Sequence, residues 1–185
     1  LFAVPVNGRT LRFAFLPAYL NGLRYSPDEL RASRRWELAR KAYLGMQRHA
    51  RDQGAELVVM FIPSKAQVYL PLLEKVLTAP ALDAALRASL QDEADPPDYA
   101  TLMRHRLALN GMMRTFCEAS GIPFLDLTPA LESQVHAGVN VYFPDDSHWN
   151  AAGHEVAATS LARWLEERRF SARSPGPATL RHPRT

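Results

Sequence analysis

An α/β domain organised on a parallel sheet is the fold class that this sequence predicts, and three observations carry the prediction. The segment from Leu57 to Ile62 is unbroken apolar sequence, the composition of a strand covered on both faces, and Pro63 stops it. A second buried strand is read from Ile122 to Leu127, apolar except for Asp126. Helical patterns alternate with these strands at lengths that fit crossovers, which are right-handed when they join parallel strands.

The individual elements follow in order. Residues 1 to 17 alternate apolar and polar around Asn7-Gly8, a pair suited to the two positive-φ positions of a type I′ turn, so an amino-terminal β-hairpin is expected. Ser26-Pro27-Asp28-Glu29 reads as a capping box with proline at the first helical position. The helix it opens is expected to reach Gly54, with Ala39, Ala42, Tyr43, Met46 and Ala50 as its inner stripe. A weaker helical region covers Leu82 to Leu90, and Asp92 to Asp98 reads as a solvated acidic connector. Leu102, Leu109, Met112, Met113, Phe116 and Cys117 form a core stripe that ends near Gly121. Thr128-Pro129 is expected to cap a short helix closed by Gly138, and Asn150 to cap a last helix with Val156, Leu161, Trp164 and Leu165 facing inward. In open α/β sheets ligands gather at the carboxyl ends of the strands, which singles out Pro63-Ser64-Lys65, Asp126 and the loop from Asp145 to Asn150.

Composition narrows the function classes. The 185 residues suffice for one domain with a real core, read as residues 1–170, followed by a basic tail over 171–185 that is expected to be disordered. A net charge of +3, with several of the arginines in that tail, lacks the clustered basic face of a nucleic-acid binder. The longest aliphatic run is far short of the roughly 20 residues that cross a bilayer. A single cysteine, Cys117, excludes an internal disulfide and a cysteine-rich metal site. The chain opens at Leu1 rather than Met, so a start upstream is expected.

Chemistry concentrates in Asp145-Asp146-Ser147-His148-Trp149-Asn150. Here an imidazole, the natural general base near neutral pH, follows two carboxylates on a short loop before a helix. Such a loop can carry a base together with the group that orients it. On spacing alone the favoured use of Asp145, Asp146 and Ser147 is to turn the loop and cap the helix, with His148 on the surface. A metal site from Asp145, Asp146, His148 and His154 matches no standard ligand spacing, and His154 reads as structural.

A resemblance reverses the odds. The order acidic residue, spacer, His148, Trp149 and then a helix resembles the last sequence block of SGNH/GDSL-type ester hydrolases. It also resembles the Asp-x-His-Trp segment of the alginate O-acetyltransferase-like SGNH proteins. Leu57 to Tyr69 (LVVMFIPSKAQVY), Gly121 to Leu131 (GIPFLDLTPAL) and Tyr142 to His154 fall in the family's order. The resemblance implies a three-layer, flavodoxin-like parallel sheet, incomplete at the amino terminus. It also implies a serine esterase or O-acyltransferase of acylated carbohydrates or lipid-like esters, with no cofactor, and a bacterial protein acting outside the cytoplasm.

In that reading His148 is the base and Asp146 or Asp145 its orienting partner, with Asp146 narrowly favoured. Ser64, Lys65 and Trp149 are the substrate-binding candidates. Lys65 fits an anionic substrate contact or, more commonly, a surface ion pair. The Gly-Asp-Ser block of the family does not occur in the sequence. Ser64 lacks the flanking glycines of a nucleophile elbow, so the nucleophile is expected upstream of Leu1. The alternative is an inactive carbohydrate-binding or interaction module that keeps the SGNH core.

Overall fold

A computed structural model describes residues 1–90 and 94–173, with side chains of the last helix through Arg168. The beginning of the acidic connector, Asp92 and Glu93, and the tail from residue 174 lie outside the described residues.

The chain opens with β1 (Phe2–Val6) and β2 (Arg9–Phe13), paired antiparallel around Asn7 and Gly8, both at positive φ. Their alternation buries Val4, Val6, Leu11 and Phe13 on one face, as a half-covered hairpin requires. Three short helices follow: α1 (Pro17–Asn21), a 3-10 turn over Gly22–Arg24, and α2 (Pro27–Ala32). The Ser26 capping box forms with both of its hydrogen bonds. The expected long helix is split, because Ser33 sits in an extended conformation and caps a new helix, α3 (Arg34–Asp52), by accepting from Trp36 N–H. Its inner stripe is also shifted. Ala42 and Met46 face solvent, while Trp36 and Tyr43 pack inward and buried Gln47 donates to the Ser120 carbonyl at 2.9 Å.

β3 (Val59–Phe61) pairs in parallel with β4 (Phe124–Asp126), the only parallel pairing among the described residues. The double-sided burial expected of these strands is not found: Val59 is buried, but Val58 and Ile62 are 38% and 54% exposed. A strand with one neighbour is covered only where helices lie against it. Between the strands come α4 (Lys65–Tyr69), a 3-10 segment over Leu70–Lys75, α5 (Ala79–Ser89), α6 (Tyr99–His105) and α7 (Ala108–Ser120). The predicted 102–117 stripe is thus shared by two helices, and Leu109 faces solvent instead of the core. Gly121 ends α7 in the left-handed conformation at φ 61°.

After β4, α8 (Thr128–His136) starts without a side-chain cap because its N-cap position is Leu127, and the expected cap, Thr128, is instead the first helical residue, buried and accepting from Asn110 Nδ2. The last helix, α9 (Ala151–Arg173), runs past Phe170, and Leu165 is 38% exposed instead of facing inward. The structure is mostly helical with two small sheets, arranged as an α/β unit. No helix among the described residues is long and apolar enough to cross a membrane.

The main core joins the hairpin to α4, the 3-10 segment, α5, α6 and α8. At its centre lies α4, whose five residues are all buried. Tyr69 packs edge-on to Phe13 at 4.9 Å and to Tyr142 at 5.9 Å, and its hydroxyl accepts from Val141 N–H at 2.8 Å. Burial pushes the Tyr69 phenol up to about 12.

A Cβ on Gly153 would lie 2.2 Å from the Val141 carbonyl oxygen, so Gly153→Ala is expected to destabilise the fold by about 2–3 kcal/mol in urea denaturation. Gly111→Ala, in a helix with nothing near its Cβ, is expected to stabilise by about 0.5–1 kcal/mol. Tyr69→Phe strands the buried Val141 N–H and should cost about 1–3 kcal/mol in the same assay.

Candidate active site

The segment between α8 and α9 folds back on itself as a tight loop. Tyr142 and Trp149 form an antiparallel bridge, Phe143 N–H donates to the His148 carbonyl at 3.1 Å, and Asn150 N–H donates to Val141 at 3.2 Å. Asn150 then caps α9 by accepting from Gly153 N–H at 3.1 Å, while its amide donates to the Asn140 carbonyl at 2.8 Å. Gly153 is what lets the helix start so close to the loop.

At the tip, one Asp146 oxygen accepts from the backbone N–H of His148 at 3.0 Å and lies 2.6 Å from its ring Nδ1. The spacing of two residues makes this a local turn that carries the imidazole with it. The His148 N–H, then its ring, hold the Asp146 carboxyl below the usual 3.8, so it is an acceptor at neutral pH. An acceptor at Nδ1 puts the proton of the neutral ring there and leaves Nε2 with its lone pair. Both side chains are open to solvent, His148 at 82% and Asp146 at 51% exposed, so the pair orients the ring more than it stabilises the fold. Asp145 makes no hydrogen bond to His148 among the described residues.

The loop is held from below by buried groups. The Tyr142 hydroxyl donates to the Pro63 carbonyl at 2.6 Å, and Ala14 N–H donates to the Pro144 carbonyl at 2.7 Å. Lys65, expected in a surface ion pair, is 4% exposed instead, and its ammonium donates to the carbonyls of Phe143 at 2.7 Å and Pro144 at 3.1 Å. Burial lowers its pKa, and the charges of Asp146 and Asp145 work against that shift. Ser64 is the N-cap of α4 and accepts from Gln67 N–H at 3.3 Å.

His148, Trp149, Ser147, Ser64, Lys65 and His154 line a cleft of about 510 Å³. Trp149 is half-buried and meets the exposed His154 ring edge-to-face at 5.6 Å. Other lining residues went unnoticed in the sequence: Tyr19, Leu23, Tyr25, Leu30, His105 and Leu109, drawn from the amino-terminal helices and the α6–α7 junction. His105 turns Nδ1 to the Arg24 carbonyl at 2.8 Å, which fixes its tautomer in the same sense as that of His148. The capping box at Ser26 was the one local signal in this region, and it marks a helix start without saying what the helix faces.

Asp126, the third strand-end candidate, belongs to a structural network. It accepts from Asn110 at 3.1 Å and from Thr128 N–H at 2.9 Å, and Asn110 in turn accepts from Gln67 at 2.7 Å. Among the described residues no group of three or more His, Cys, Asp or Glu is placed to hold a metal ion.

Residues 86–183, just over half of the chain, match the family described as the SGNH hydrolase-like domain of acetyltransferase AlgX, a span that includes the whole Asp146–His148 loop. No curated protein and no solved structure matches the chain. With the loop and cleft described above, the span of that match identifies the chain as a member of the SGNH hydrolase-like family of acetyltransferase AlgX.

Proposed function

We propose that this protein supplies the Asp–His half of an SGNH-type serine esterase or O-acyltransferase, acting on acylated carbohydrate or lipid-like esters. The observation that carries the reading is the 2.6 Å contact between Asp146 and His148 Nδ1 on a loop that borders a cleft of substrate size. In this reading His148 Nε2 takes the proton of a serine hydroxyl as its oxygen attacks the acyl carbonyl. The tetrahedral intermediate collapses and expels the alcohol, which receives that proton from His148. Water or a sugar hydroxyl then attacks the acyl-enzyme, giving up its proton to His148, and the serine leaves with the proton returned. Trp149 and Ser64 border the space where the acyl group would sit, and we read the parallel pair as part of a three-layer, flavodoxin-like sheet.

One observation favours a second reading, an inactive binding module of the same fold. The sequence has no Gly-Asp-Ser block, and the hydroxyl of Ser64, which lines the cleft, is already used as a helix cap. Saturable hydrolysis of p-nitrophenyl acetate by the full-length protein, abolished by a serine-directed inhibitor, is the expected result. Turnover no faster than free imidazole would favour the module.

In the full-length protein, His148→Ala should lower kcat by about 10³ to 10⁶, because triad members act as a unit. Asp146→Asn should cost about 10⁴ by favouring the wrong tautomer, and Asp145→Asn should leave kcat within about threefold. A severe Asp145→Asn with a mild Asp146→Asn would reassign the partner.

The pH dependence has a definite sign. A carboxyl held below 3.8 favours the folded loop above that pH, and the contribution is lost as pH falls through the depressed midpoint. Carboxyl NMR should therefore place the Asp146 midpoint below 3.8. His148→Ala should move it part of the way back up, since the bond from the residue-148 N–H remains.

A further inference from the structure

Lys65 is a buried cation, and among the described residues no carboxylate lies within ion-pair distance of it. Taking an ammonium out of water is costly unless its protons find acceptors, and here the acceptors are two consecutive carbonyls of the active loop, Phe143 and Pro144. Charge-assisted bonds of this kind are stronger than neutral ones. They attach to the loop at the residues just before Asp145 and Asp146, so they act on the backbone that aims the pair. Lys65 also borders a cavity of about 20 Å³ under the loop together with Asp145, Asp146 and Ser147. The Asp146–His148 contact is local to the loop and cannot by itself fix the direction in which the loop points. The bonds from Lys65 and from Ala14 N–H tie that part of the loop to the rest of the domain.

We infer that Lys65 is a positioning residue: its ammonium, by donating to the carbonyls of Phe143 and Pro144, holds the loop so that His148 faces the cleft. This rests on the reading of Asp146 and His148 as the base pair. It assigns to Lys65 a role distinct from contact with substrate, since two of its three ammonium protons are committed to the loop.

Amide hydrogen exchange on the chain without substrate tests the inference apart from any turnover. In Lys65→Met the amides of Phe143 and His148 should lose protection by about tenfold or more, while those of α7 hold within about twofold, the signature of local opening. Lys65→Arg, which keeps charge and donors, should restore most of the protection, and the exposed Lys75→Met should change neither amide. Unchanged protection of Phe143 and His148 in Lys65→Met overturns the inference, as does an equal loss throughout α7. If the Met variant does not fold, Lys65→Gln carries the test: the uncharged donor should give an intermediate local loss, and wild-type protection there would overturn the inference. In the full-length enzyme the same variants should lower kcat with KM held within about twofold. A rise in KM at constant kcat would make Lys65 a substrate contact. Failure of the esterase reading would leave the exchange result standing.

Discussion

The site depends on the need to satisfy the polar side chains of one short buried helix. All five residues of α4 are inside, and three of them, Lys65, Gln67 and Tyr69, carry groups that cannot be left without partners. Lys65 finds the carbonyls of Phe143 and Pro144, Tyr69 receives Val141 N–H, and Gln67 reaches the Arg106 carbonyl and Asn110. Two of these three are bonded to the segment that carries the Asp–His pair. The strand end, the α6–α7 junction and the Asp146–His148 loop are therefore tied to one point, and a half-satisfied network there would be costlier than an apolar one.

That arrangement divides the labour between anchoring and chemistry. The base of the loop is buried and bonded to the core through Tyr142 and Val141, whereas its tip is open, with His148 the most exposed of the residues that matter. In the proposed function an imidazole this exposed would exchange protons with a substrate in the cleft. Its orientation comes from Asp146, and the Asp146 carboxylate is kept ionised by the same His148 it orients. Gly153 completes the arrangement, because any side chain there would push α9 off the Val141 carbonyl and move Trp149 with it.

Much of the local structure was legible in the sequence, and the losses have physical reasons. Asn7-Gly8 and the Ser26 capping box specify their backbone conformations directly, so both were readable. Ser33 breaks the following helix without any such pattern, since a serine within a helical stripe also fits a continuous helix. The apolar runs marked both parallel strands, but run composition cannot reveal how many neighbours a strand has. The loop was readable as an Asp–His segment, with Asp146 favoured over Asp145 by resemblance, and the structure adds the 2.6 Å contact from Asp146 to the ring. Lys65 and Gln67 were invisible as interior residues because their types are mostly found outside. The rest of the cleft lining comes from residues distant in sequence, which only tertiary packing brings into the same cleft as His148.

The proposed chemistry requires that Asp146, 2.6 Å from Nδ1, hold the His148 ring in the tautomer that leaves Nε2 unprotonated. Long-range proton–nitrogen correlation NMR of the His148 ring, at a pH where the ring is neutral, reads this directly. The account predicts the Nδ1-protonated form in the native chain and its loss in Asp146→Asn. A ring protonated mainly at Nε2, or one whose tautomer is indifferent to Asp146→Asn, would contradict it.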